Sequence, residues 1–72
     1  MNDIENRIEY LESKVKEYKN ELRRLNTTIN KVEKLGLLVP YELVIKKDIV
    51  ESDLKEFKQE LKLYKKINEL ID

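Results

Sequence analysis

An all-α fold, built as an antiparallel two-helix coiled-coil hairpin, is what this 72-residue sequence predicts. Three observations lead there. Apolar residues recur in alternating steps of four and three along both halves of the chain. The only glycine and the only proline, Gly36 and Pro40, fall together near its middle. Charged residues make up 42% of the chain and apolar residues 40%, and a mixture so rich in Glu, Lys, Leu and Ile is the composition of long helices. A disordered chain of this charge would lack the apolar periodicity.

The first helix is expected over about residues 3–35. Ile4, Leu11, Tyr18, Leu25 and Val32 form one row, and Ile8, Val15, Leu22 and Ile29 the other. Outside that seam the segment is almost entirely polar apart from Met1, Tyr10 and Leu35. Two apolar positions in seven make a narrow coiled-coil stripe rather than a broad core-facing surface.

The turn is expected over residues 36–40. Gly36 suits the left-handed residue that ends a helix, and the residue after it packs back on the last turn. Leu37 is therefore expected against Val32. Pro40 suits the start of a second helix, where no amide partner is lost. The tip nonetheless keeps Leu38, Val39 and Tyr41, which no cap requires.

The second helix is expected over about residues 41–71. Leu43, Val50, Phe57, Tyr64 and Ile71 make one seam row, and Lys47, Leu54, Leu61 and Asn68 the other. Lys47 is expected to lay its alkyl stem along the seam with its ammonium in water. Helices of similar length joined by a short turn lie antiparallel. A turn midpoint between Val39 and Pro40 would set Val15 opposite Tyr64, Leu22 opposite Phe57, Leu25 opposite Leu54 and Ile29 opposite Val50.

Helix stability comes mainly from packing, and the second helix carries apolar residues that the seam does not use. Ile45, Ile49, Leu63, Ile67 and Leu70 form this surplus stripe, with Val44 beside it. A second copy would cover it, giving a homodimer that closes into a four-helix bundle.

The chemistry excluded is extensive. No cysteine or histidine is present, so disulfides, thiol nucleophiles and imidazole acid–base steps are absent. The pairs Glu5 and Glu9, Glu17 and Glu21, and Glu56 and Glu60 lie off the seam, whereas bundle metal sites point carboxylates inward beside histidine. One glycine cannot make a phosphate loop. The sequence predicts no catalytic residue, no metal site and no cofactor. No apolar run exceeds three residues, as in Leu37 to Val39, which is far too short for a membrane span, and the acidic N-terminal stretch differs from a signal peptide. A cytoplasmic location is expected.

The formal net charge is zero, but Lys16, Arg23, Arg24 and Lys31 give the first helix a basic stripe that could follow phosphate backbones. It lacks stacking aromatics. The reading favoured by the residues is a non-enzymatic interaction module that self-associates and docks a larger protein partner. Leu38, Val39 and Tyr41 would make the partner contact. Ile45, Ile49, Leu63, Ile67 and Leu70 would make the self-contact. A small nucleic-acid-binding factor using the basic stripe is the alternative.

The order helix, Gly36, a few residues, then Glu42 and Leu43 opening a second helix resembles the coiled-coil hairpin of large serine recombinases. The resemblance covers the turn region alone, and nothing else in the chain corresponds to the domains that perform recombination. It implies only that a hairpin tip can be a docking surface.

Overall fold

The computed structural model describes residues 3–71 and holds two helices. The first, α1, spans Asp3–Lys34 over 32 residues, and the second, α2, spans Tyr41–Ile71 over 31. Met1, Asn2 and Asp72, which the expected single unit over 1–72 includes, lie outside the described residues. The helices pack along their length into a rod of 55 × 14 × 14 Å. The antiparallel hairpin and both helix spans match the sequence expectation to within a residue.

Local chemistry sets the helix ends. Asp3 and Glu5 occupy the first turn of α1 and Lys31 and Lys34 its last, the arrangement that complements the helix dipole. Gly36 adopts φ 73°. Its amide donates to the Glu33 carbonyl at 2.9 Å, and the Leu37 amide donates to the Val32 carbonyl at 3.2 Å. These two bonds are the Schellman cap, in which a left-handed glycine lets the chain reverse while the last carbonyls keep donors. Pro40 sits just before α2, and its carbonyl accepts from the Leu43 amide at 3.0 Å. Its ring fixes φ and disfavours helical backbone in Val39, so α2 cannot begin earlier.

Among the described residues the buried core is five side chains: Leu11, Val15 and Leu25 from α1, with Val50 and Leu54 from α2. All five fall on the seam rows. Lys47 is half-buried there, with its Nζ reaching Glu51 Oε1 at 3.8 Å, so its stem does line the seam while its charge stays at the edge. Asn68 is half-buried as well.

The pairing between the helices differs from the expected one. The expected layer pairs Leu22 with Phe57, whereas Tyr18 meets the Phe57 ring, with centroids 5.2 Å apart at 76°. Across the helices Arg7 also meets Glu60 and Glu21 meets Lys46. Val15 shares a groove with Leu61, and Leu22 shares another with Leu54. The layers expected for a midpoint between Val39 and Pro40 are therefore displaced, since that midpoint would set Arg7 and Glu60 about 18 Å apart along the axis. The physical reason lies at the tip. The cap stops α1 at Lys34 and Pro40 holds α2 to a start at Tyr41, so the midpoint falls in the Leu37–Leu38 region.

Candidate interaction surfaces

Three surfaces surround this thin core, and each arises from which heptad positions the hairpin leaves uncovered. The first is the tip. Leu38 is 94% exposed and Tyr41 75% exposed, with Leu35 and Leu37 also exposed, while Val39 is half-buried. The expected tip set of Leu38, Val39 and Tyr41 thus divides. Val39 turns toward the protein and the other two face water. Leu37 is tied to Val32 through the backbone cap, yet its side chain remains mostly outside.

The second surface is the outer face of α2. Ile45, Ile49, Leu63 and Leu70 are all exposed, and Ile67 is half-buried. At the tip end, Ile45 and Ile49 line a shallow groove with Tyr18 and Val50, bounded by Glu21, Glu42, Lys46 and Asp53. The residues of the expected self-contact therefore share one face. A polar stretch divides them into a cluster near the tip and one near the open end: Asp53, Glu56 and Glu60 interrupt the apolar row between Ile49 and Leu63.

The two flanks of the seam differ in how their charges are settled. On one flank Arg7 donates to Glu60 Oε1 at 2.6 Å, and Lys46 Nζ lies 3.6 Å from Glu21 Oε1. Arg7 also stands over the rings of Tyr10 and Tyr64, with centroid distances of 5.1 and 6.0 Å. The hydrogen bond from Arg7 to Glu60, and then the charge of Glu60, hold the guanidinium protonated beyond its usual range. Lys14 is likewise raised, first by the charge of Glu17 and then by the hydrogen bond between them.

The opposite flank is the third surface, and only the cross-helix pairing assembles it. Lys19 from α1 and Lys58, Lys62 and Lys65 from α2 rim one groove whose floor is Val15 and Leu61. Lys16 and Glu12 extend it along α1, and Lys55 extends it along α2. None of these lysines belongs to any ion pair among the described residues. Sequence reading by single helices missed this groove, because its cations come from both sides of the turn.

Lys16, Arg23, Arg24 and Lys31, the basic stripe expected on α1, are all exposed. They form two rows, Lys16 with Arg23 and Arg24 with Lys31, about 100° apart around the helix. Only the first row adjoins the lysine groove. The carbonyls of Arg23 and Arg24 each accept a hydroxyl, from Thr27 at 2.9 Å and Thr28 at 3.0 Å, which settles two polar side chains within the exposed helix surface.

Among the described residues no group of acidic side chains is placed to hold a metal ion, and no helix is long and apolar enough to cross a membrane. No family model, curated protein or solved structure matches the chain.

Proposed function

We propose that this hairpin is a non-enzymatic interaction module that associates with further copies of itself and docks a larger protein partner through its tip. One observation carries the reading: the large apolar side chains left exposed outnumber those the core buries. Single exposed leucines are ordinary on a protein surface, but here the surplus is concentrated on α2 and the tip. Two helices bury one seam, and such a small core supplies only ~3–5 kcal/mol. Covering Ile49, Leu63 and Leu70 adds apolar burial without changing the fold. Self-association, as a two-copy four-helix bundle or a longer assembly, supplies that cover. The exposed Leu38 and Tyr41 then remain available at the tip for a different protein.

Sedimentation equilibrium over micromolar concentrations tests the self-association. The parent should gain mass with concentration, and the exposed-face variant Leu63→Ser/Leu70→Ser should stay monomeric with its helicity kept. A parent that is monomeric at every concentration and fully helical refutes the reading.

A further inference from the structure

Building on that self-association, we propose that copies join heterologously: the outer face of α2 on one copy seats in the lysine-rimmed groove of the next. The two surfaces match in chemistry. The groove has an apolar floor of Val15 and Leu61 between rims formed by Lys19 on one helix and Lys58, Lys62 and Lys65 on the other. The α2 outer face has an apolar row at Ile49 and Leu63, and the surface between them carries Asp53 and Glu56 with no cation among them, while Glu60 beside them is already paired to Arg7. An acidic, apolar-striped helix laid in a basic, apolar-floored groove makes a third helix against two. It also supplies carboxylates to lysines that have no ion pair among the described residues.

The symmetric alternative places like charges together. An antiparallel two-fold pairing that brings Ile49 to Leu63 of a second copy centres on Glu56, so Glu56 meets its own equivalent. Like charges brought together across an interface cost free energy. It would also leave the lysine groove uncovered, with Lys19 and Lys58 sharing one groove from opposite helices. The heterologous contact removes both penalties at once. Because each copy carries both surfaces on different sides, such a contact does not close at two copies unless the rotation closes a ring.

Charge reversal tests this directly. The groove variant Lys19→Glu/Lys58→Glu and the face variant Asp53→Lys/Glu56→Lys change only exposed or half-buried rim positions, and circular dichroism confirms that each keeps its helices. By sedimentation the parent should rise in mass past two copies, each variant alone should remain monomeric, and an equimolar mixture should regain association, since opposite charges then meet again. High salt should weaken the parental assembly.

A groove variant that still associates as the parent does overturns the heterologous contact while leaving self-association standing. A parental mass that plateaus at two copies, with the mixture no better than its components, does the same. A parent that is monomeric throughout overturns both this contact and the reading it rests on. Salt-sensitive binding of a generic DNA duplex by such a monomer, lost with Lys19→Glu/Lys58→Glu, would assign the groove to a polyanion instead.

Discussion

The Tyr18 and Phe57 rings meet edge to face across the two helices, 5.2 Å between centroids and 76° between planes. Both side chains are half-buried, so area alone gives them a modest share of stability. Edge-to-face geometry adds about 0.5–1.5 kcal/mol beyond that area. A double-mutant cycle with Tyr18→Ala and Phe57→Ala, followed by urea unfolding, should return a coupling of that size. The cycle between Leu22→Ala and Phe57→Ala should return a smaller value. Equal couplings would mean that the layers are shared more broadly than the ring contact implies.

Among the described residues Leu11 is the one large side chain with no exposure at all. Leu11→Ala should therefore cost ~2–5 kcal/mol, the range for a buried leucine that leaves a cavity. In a unit of this size that removes most of the folded population at room temperature. Leu70→Ala, at 79% exposure, should leave monomer stability almost unchanged. Thermal melts at a dilution that suppresses association compare the two.

The pattern of burial shows what is legible in the sequence. Leu11, Val15, Leu25, Val50 and Leu54 all lie on the two rows that the four-and-three spacing marks out, and Gly36 with Pro40 locates the helix ends on either side of the turn to within a residue. The register is not legible. Each row of α1 can sit opposite either row of α2, the two choices differ by about a turn, and both bury apolar residues against apolar residues. Only the length of chain between Lys34 and Tyr41 decides, and the cap geometry at Gly36 sets that length. The lysine groove is hidden for the same reason. Lys19 and Lys58 are far apart in sequence, and only the observed register brings them to one groove. The outer stripe of α2 is readable directly, since Ile49, Leu63 and Leu70 repeat at seven-residue spacing within a single helix.

Gly36 holds φ 73° with open space where a Cβ would stand. A side chain there meets no neighbour, so any cost of substitution is backbone strain alone. Gly36→Ala should lose about 1–2 kcal/mol, the penalty of a left-handed L-residue. Gly36→Asn should lose less, because asparagine visits that region more readily. Urea midpoints of the three proteins check the order, and an alanine variant as stable as the parent would show that the tip rearranges.

The ion pair from Arg7 to Glu60 lies on the surface, where such pairs are screened by salt. Its contribution should therefore fade as salt is added. Comparison of parent with Arg7→Gln by thermal melting in dilute buffer and in concentrated salt should show a gap that narrows at high salt. The part of the gap that persists reports the stacking of the guanidinium over Tyr10, at 5.1 Å, which is less sensitive to ionic strength. Arg7→Lys keeps the charge but loses the planar stack, so it should recover the salt-sensitive part alone.

The apolar tip separates a structural role from a docking role within two adjacent residues. Val39 is half-buried just before Pro40, whereas Leu38 is 94% exposed. If Val39 covers the end of the seam, Val39→Ser should lower stability by about 1–2 kcal/mol, through lost burial and an unpaired hydroxyl. Leu38→Ser should melt with the parent, since the side chain already stands in water. Polar residues serve a turn better than leucine when folding is the only demand, so the exposed Leu38 beside Tyr41 is the place to test for a contact made outside the chain. Fluorine NMR of a chain labelled at Tyr41 reads that contact whatever the partner's identity. Titration with fractions of a cell extract should shift or broaden the parental signal, and Leu38→Ser should suppress the response while Ile49→Ser leaves it intact. A response equal in the parent and in Leu38→Ser would remove the tip from partner docking and leave Val39 as its only working residue.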